Sequence, residues 1–455
     1  MDPTQAFDPN RTMLNPGGFS DPNKTTAMSA VPSPMAPASP ASGPALQARV
    51  VPGRTVTMAN GPAREQFLIE FSAPSEIAPS GFAPQSARMP LNLCLVLDRS
   101  GSMEGLPLEY CKQACQHVVD MLTANDVLSI VTFEETVDVL MPPQRVTNKQ
   151  PIKDGIARIQ PGNTTNLYEG ISQGLNQVLN SEGGRVTRLI VLSDGDPTAG
   201  IKDFASLVNL SGEAKAKGIT CTYLGFGPDY NEELLASMAK KAGGNYYYIP
   251  EPQLIPEVFR TELEKLMTVV GKNLELELKL ARWVNMRSPQ SATGGTVTLP
   301  LADLERGSLI QQIVDLEFPN HPLGHYRVVA GSLAYDDMLT GRRERIDLDL
   351  ALEFSADSAR YSVPVATEVG QAHQVAQASR VVEKTIMGLK TGQITQMGAI
   401  AELQKTQMLL VGEGRTAEAQ EVTMALRALQ SGNQTGAEKT LMGTMVSLDQ
   451  GKKSN

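Results

Sequence analysis

Four short apolar runs alternate with amphipathic stretches between residues 91 and 227, and this alternation constrains the fold more than any other feature. Strands buried on both faces and separated by helices are typical of a parallel sheet that helices cover. The pattern therefore predicts an α/β domain over residues 90–268. The apolar runs are LNLCLVL (91–97), VLSIVTF (127–133), RLIVLS (188–193) and ITCTYLGFG (219–227), and the amphipathic stretches are 105–123, 166–182, 201–217 and 255–267.

The segments on either side of this domain have a different period. Residues 47–89 and 269–362 contain runs in which apolar and polar side chains alternate, as in NLELELKLARW at 273–283. Alternation with a period of two indicates strands with one buried and one solvated face. We expect these strands to form one antiparallel β-sandwich, with the α/β domain inserted in it or flanked by it.

Residues 363–455 return to helical spacing, with short glycine-containing joints at KTGQ, GEGR and SGNQTG. This spacing predicts helical hairpins or a bundle, and Thr435 with Glu438 predicts a capping box before the last helix. Two roles are open for this region: a separate interaction or self-assembly element, or packing on the sandwich. Its methionines suit an adaptable contact surface; the candidates are Met387, Met397, Met408 and Met424.

Residues 1–46 contain nine prolines and only two aromatic residues, so we expect a disordered tail. A short motif is repeated within this tail, as DPNRT at 8–12 and DPNKT at 21–25. Chance in a biased composition is one explanation, and an unmodified docking peptide is a second. Phosphorylation of Thr12 or Thr25, each of which follows a basic residue, is another, and it predicts a partner that reads phosphothreonine.

Hydroxyls and carboxylates follow the strand ends of the α/β domain. Asp98 ends the first apolar run and is followed by Ser100 and Ser102, Thr165 precedes an amphipathic helix, and Asp194 ends the third apolar run. In an open parallel sheet, ligands bind beyond the carboxyl ends of the strands. Because these donors are all oxygens, with no His or Cys among them, they favour Mg²⁺, Mn²⁺ or Ca²⁺ over zinc.

The segments LNLCLVLDRSGSM, GNTTNLYEGI and LIVLSDGDPT together resemble the von Willebrand factor A domain with its metal-ion-dependent adhesion site. The resemblance covers residues 90–268 and implies a Rossmann-like fold. It implies that Ser100, Ser102 and Thr165 bind the cation directly, and that Asp98 and Asp194 bind it directly or through water. The arrangement of such a domain between flanking strands, with a helical tail, resembles intracellular bacterial members of the family and relatives of inter-alpha-trypsin inhibitor heavy chains.

The function that this resemblance implies is a non-enzymatic, cation-dependent interaction module or scaffold that docks a partner's Asp or Glu. Two alternatives are an adaptor subunit for an ATPase that acts in trans and a metal-dependent hydrolase. Hydrolysis needs a base near the metal, and of the four histidines only His117 lies in the α/β domain.

The composition limits which kinds of partner and which cellular compartment fit this chain. The net charge of −9 argues against a nucleic-acid surface, which needs a basic stripe. No apolar run approaches the ~20 residues of a membrane span. The four cysteines fit no disulfide framework or metal knuckle, so we expect buried thiols and a cytoplasmic location.

Overall fold

The computed structural model of the chain describes residues 45–75, 88–180 and 185–454. The repeated motif, with Thr12 and Thr25, lies outside these residues, so the phosphorylation of these two threonines stays a prediction. Ala45 and Leu46, which the sequence analysis places in the tail, are buried. Leu46 packs among the apolar side chains of the larger sheet, so these two residues belong to the packed part of the chain.

The α/β domain is built on a six-stranded sheet in the order β6-β5-β4-β7-β8-β9. All neighbouring strands are parallel except β5 and β6, which form an antiparallel pair. The mixed α/β fold of the prediction is thus confirmed, with one added antiparallel edge strand. The six strands are β4 (Leu91–Asp98), β5 (Val127–Phe133), β6 (Val137–Arg145), β7 (Val186–Ser193), β8 (Thr220–Phe226) and β9 (Tyr246–Ile249).

Six helices cover the two faces of this sheet. The helices are α1 (Leu106–Met121), α2 (Lys149–Ala157), α3 (Leu167–Leu179), α4 (Phe204–Ala216), α5 (Glu232–Ala242) and α6 (Ile255–Leu266). Side chains of α1 and α6 are buried against one face, and those of α3, α4 and α5 against the other. Burial on both faces explains why the central strands are apolar at nearly every position.

The remaining strands join in one ten-stranded sheet, ordered β1-β3-β13-β10-β14-β15-β2 with three further strands off this path. Because β3 pairs with β13, the α/β domain interrupts this sheet along the chain. The strands are β1 (Gln47–Pro52), β2 (Val56–Met58), β3 (Ala63–Ser72), β10 (Val269–Ser288), β11 (Ala292–Pro300), β12 (Leu304–Glu305), β13 (Ser308–Phe318), β14 (Gly324–Asp337), β15 (Arg342–Ser355) and β16 (Lys452–Ser454).

The long strand β10 connects the parts of this sheet. Its first half pairs with β14 and its last residues pair with β13, while β11 runs along it. Leu276, Leu278 and Leu280 are buried while Glu277 and Lys279 between them are exposed, as the alternation predicts. The division into a two-layered sandwich is not confirmed, because hydrogen bonds connect all these strands in a single sheet.

Four longer helices form the helical region: α8 (Thr367–Thr391), α9 (Gln396–Gly412), α10 (Thr416–Gln430) and α11 (Gln434–Asp449), after a single turn, α7 (Ser358–Tyr361). Their apolar side chains share one buried cluster with α3, α5 and β9 of the α/β domain. The first turns of α8 also contact β3 and β13 through a smaller cluster. The helical region therefore packs on both sheets. No helix among the described residues is long and apolar enough to cross a bilayer.

A buried lysine reinforces the contact between the helical region and the α/β domain. Lys439 of α11 is 1% exposed, and its Nζ donates to the carbonyl of Tyr230 at 2.6 Å. The same Nζ lies 3.0 Å from Oε2 of Glu232, the first residue of α5. A buried lysine is tolerated where it is paired and hydrogen-bonded, so this contact fixes the position of α11 against the loop after β8.

We predict that Leu441→Ala lowers the free energy of unfolding by about 2–5 kcal/mol, because Leu441 is fully buried in the cluster shared by the two regions. The matched control is Met408→Ala on the exposed side of α9, which should change it by less than about 0.5 kcal/mol. Urea unfolding of both variants makes the measurement. Equal, small effects would contradict the packing described here.

A second prediction concerns pH. Burial raises the pKa of Glu421 to about 7, with the charge of Glu418 adding to the shift, although Thr444 hydrogen-bonds the carboxyl. A raised pKa in the folded chain contributes stability below the unfolded value near 4.5, and this is lost as pH rises through 7. From pH 5 to pH 8 the wild type should lose roughly 1–3 kcal/mol of unfolding free energy relative to Glu421→Gln. Parallel pH profiles for the two proteins would contradict this.

Candidate metal centre

The predicted donors lie at the carboxyl ends of two adjacent parallel strands. β4 and β7 pair in register, with Leu97 opposite Leu192. Asp98 is the last residue of β4, and Asp194 directly follows the last residue of β7. The strand pairing alone therefore brings the two carboxylates to the same edge of the sheet, where ligands bind in open α/β sheets.

The loop after β4 brings its two serines to these carboxylates. The Ser100 amide donates to Oδ1 of Asp98 at 2.9 Å, which closes a tight turn. The Ser102 hydroxyl donates to Oδ1 of Asp194 at 2.9 Å, and Ser100 Oγ lies 3.4 Å from the same oxygen. The two hydroxyl oxygens are 3.2 Å apart. Four of the five predicted residues thus form one cluster of oxygen atoms.

Thr165 belongs to a third loop, which precedes α3. Its amide donates to Oγ1 of Thr198 at 2.8 Å, and its carbonyl accepts from the amides of Thr198 and Ala199. Its hydroxyl oxygen lies 3.9 Å from the position that a Cβ on Gly195 would occupy. These contacts hold Thr165 beside the loop that begins at Asp194, so the structure brings the fifth predicted residue to the same place.

Burial makes this cluster electrostatically unusual. Asp98, Ser100, Thr165 and Asp194 are buried, and Ser102 is exposed. Burial, followed by the nearby charge of Asp194, raises the pKa of Asp98 to about 7. Burial also raises the pKa of Asp194. Two adjacent buried carboxylates disfavour their shared ionised form unless a cation compensates them.

The nearest cation in sequence does not supply that compensation. The Arg99 guanidinium points to the neighbouring loop, where it lies 2.8 Å from Asp138 and 3.4 Å from Glu134. Two carboxylates and three hydroxyls, with one donor open to solvent, therefore fit a hard divalent cation. Within the described ranges no three His, Cys, Asp or Glu side chains come together as a metal-binding group, so a nitrogen- or sulfur-rich metal site is not built there.

Two supporting residues escaped the sequence analysis. The Ser193 hydroxyl donates to Oδ2 of Asp98 at 2.7 Å, so it fixes the carboxylate whose other oxygen the Ser100 amide holds. Thr198 orients Thr165 as described above. A serine next to Asp194 at a strand end was the available signal, but the alternation of a strand does not show which neighbouring strand its side chain will reach.

Comparisons with known proteins agree with the fold of the α/β domain. Residues 92–261 match the family model of the von Willebrand factor type A domain. An uncharacterized protein of Synechocystis sp. is 30% identical over 284 residues, which cover 58% of this chain and 66% of that protein. An inter-alpha-trypsin inhibitor heavy chain of Homo sapiens is 27% identical over 206 residues, which cover 43% of this chain and 20% of that protein.

A solved von Willebrand factor type A structure from Catenulispora acidiphila superposes with a TM-score of 0.64 at 16% identity, over 83% of this chain and 89% of that one. This likeness shows the fold. The chain spans less than two thirds of the length of either sequence relative. The α/β domain is thus a von Willebrand factor type A domain, and domains of this class are generally protein-interaction modules.

We predict that Ser193→Ala weakens Mn²⁺ binding about 10–100-fold, the usual cost of losing a group that orients a metal ligand. The hydrogen bond from Ser193 to Asp98 is the reason. Ser129→Ala, a buried serine of β5 whose hydroxyl contacts the backbone of Leu93, is the matched control. Isothermal titration calorimetry compares the two, and equal Mn²⁺ affinities would show that Ser193 does not orient a ligand.

Proposed function

We propose that this chain is a non-enzymatic, divalent-cation-dependent interaction module that docks an acidic side chain of a partner protein. The observation that carries the proposal is the convergence of Asp98, Ser100, Ser102 and Asp194 within hydrogen-bond distance at the sheet edge, with Thr165 held beside them. A bound Mg²⁺ or Mn²⁺ would supply positive charge and a coordination position for the partner's carboxylate.

The exposure of the five predicted ligands indicates the side from which a partner would dock. Asp98 and Asp194 are buried beneath the loops, and only Ser102 of the five is exposed. Their two negative charges formally balance one divalent cation, so an incoming carboxylate meets a neutral site rather than an anionic one. The partner therefore approaches from the side of Ser102, along the end of the sheet.

The arrangement offers little for catalysis. His117 lies on α1 and is partly exposed, and none of the hydrogen bonds of the cluster involves a histidine, cysteine or lysine. Both carboxylate oxygens of Asp98, and Oδ1 of Asp194, accept from a hydroxyl or an amide. We therefore propose binding rather than hydrolysis. The four cysteines are free and buried, which supports the proposal of a reducing, cytoplasmic setting.

We predict that Asp98→Ala weakens Mg²⁺ and Mn²⁺ binding by at least about 100-fold, because it deletes one of the two ligand charges. The fold should survive, since the central strands keep their apolar contacts. Asp154→Ala removes an exposed carboxylate of α2 and serves as the control. Titration calorimetry measures affinity and circular dichroism checks folding. Equal binding by a folded Asp98→Ala protein would overturn the site assignment.

A further inference from the structure

Exposed apolar side chains surround the proposed cation site. Leu106 begins α1, four residues after Ser102, and is 67% exposed. Ile201 and Phe204 follow the loop of Asp194 and are each 45% exposed. We call these three residues, Leu106, Ile201 and Phe204, the apolar rim. Exposed large apolar side chains grouped beside a site are typical of an interaction surface.

Backbone contacts hold the apolar rim close to the site. The segment before Ile201 is fastened to the third loop, because the amides of Thr198 and Ala199 donate to the Thr165 carbonyl. Gly200, with φ of +66°, packs against the Asn166 side chain so closely that a Cβ would collide with it. Ile201 therefore follows a segment that is fastened to the third loop, and Leu106 and Phe204 begin the helices that follow the loops of Ser102 and Asp194.

Acidic side chains also lie on these loops. Glu104 lies between Ser102 and Leu106, Asp196 follows Asp194 by two residues, and both are exposed. Asp229, in the loop after β8, is exposed and close enough for its charge to act on Asp194. Lys202 is the basic residue of the same surface. A partner rich in acidic residues would be repelled here, so the surface fits a lone carboxylate flanked by apolar and basic side chains.

The tail of this chain contains that combination twice. Phe7, Asp8 and Arg11 occur in FDPNRT, and the same three kinds of residue occur in FSDPNKT at 19–25. The phenylalanine precedes the aspartate by one position in the first motif and by two in the second, and the basic residue follows the aspartate by three positions in both. The carboxylate suits the cation, the phenylalanine suits the apolar rim, and the arginine or lysine suits Glu104, Asp196 and Asp229.

We propose that the cation site binds an Asp-Pro-Asn-Arg/Lys motif from the tail of a second copy of this chain; this inference rests on the proposed function. Each chain has two of these motifs and one cation site. A chain that is bound through one motif therefore has a second motif available for another copy. The two aspartates, Asp8 and Asp21, are 13 positions apart and span at most about 45 Å. Because the same tail joins the two motifs, binding through both of them gains avidity.

Sedimentation velocity of the full chain tests the self-association. In Mg²⁺ the chain should form dimers or larger species, and EDTA should return it to monomer. The double variant Asp8→Asn/Asp21→Asn should stay monomeric in Mg²⁺, whereas Asp2→Asn, which changes a tail aspartate outside the repeat, should associate as the wild type does. Association that persists in EDTA, or in the double variant, would overturn the proposal.

Fluorescence anisotropy with a labelled peptide of residues 5–13 tests the recognition itself, using the folded double variant as the receptor. We expect Mg²⁺-dependent binding that Phe204→Ala weakens at least tenfold, while Leu323→Ala, an exposed side chain in the β13–β14 loop, leaves it unchanged. Replacing Asp8 of the peptide by Asn, or Arg11 by Glu, should abolish or weaken binding.

The outcomes separate the two proposals. If the chain binds Mn²⁺ in calorimetry but neither associates nor binds the peptide, the self-recognition is wrong and the cation-dependent module stands. If the chain binds the peptide but remains monomeric in Mg²⁺, the second copy is not the occupant. If it binds no divalent cation, both proposals fail.

Discussion

The parallel pairing of β4 with β7 is the constraint on which the rest of the site depends. This pairing places Asp98 and Asp194 at the same edge of the sheet. Because both side chains are buried, water does not screen the repulsion between their charges. Burial, followed by the nearby charge of Asp194, raises the pKa of Asp98 to about 7, which reflects the electrostatic cost of that arrangement. The serine hydroxyls and the amide of Ser100 reduce it only in part, because hydroxyls carry no full charge. A bound divalent cation would offset that cost, and this is why we propose one at this site.

The helical region stabilises one face of the same domain. Its apolar side chains continue the cluster formed by α3, α5 and β9, so neither partner has a complete core alone. Lys439 ties α11 to the loop after β8, the loop that also carries Asp229 near the cation site. The methionines of α8, α9 and α10 that the sequence analysis names are exposed, and their role as a contact surface stays a prediction; they are Met387, Met397, Met408 and Met424.

The central strands and most helices of the α/β domain could be predicted because their patterns are local. α1, α3, α4 and α6 begin and end within three residues of the predicted stretches. The antiparallel strand β6 was not predicted, because its VDVLMPPQR sequence contains two prolines and lies at an edge where they are tolerated. The cap of α11 is Asn433, whose side chain accepts from the amide of Gly436, so the capping box predicted at Thr435 is wrong. The helix begins at Gln434, two residues earlier than a cap at Thr435 implies.

Long-range features escaped prediction for a different reason. The five site residues could be found from their order along the strand ends, yet the contact of Ser193 with Asp98 crosses between strands. The packing of the helical region on the α/β domain also depends on matching surfaces far apart in the sequence. Similarly, the single ten-stranded sheet depends on β10 being long enough to pair with different strands along its length, and alternation of apolar residues does not encode which strands become neighbours.

The central claim is that the oxygen cluster at the end of β4 and β7 holds one divalent cation. Anomalous diffraction from crystals grown with Mn²⁺ tests it most directly, because it locates the metal rather than its effects. The account predicts a single strong peak within about 2.5 Å of the hydroxyl oxygens of Ser100 and Ser102, beside Thr165. A peak elsewhere in the molecule, or no peak at saturating Mn²⁺, would contradict it.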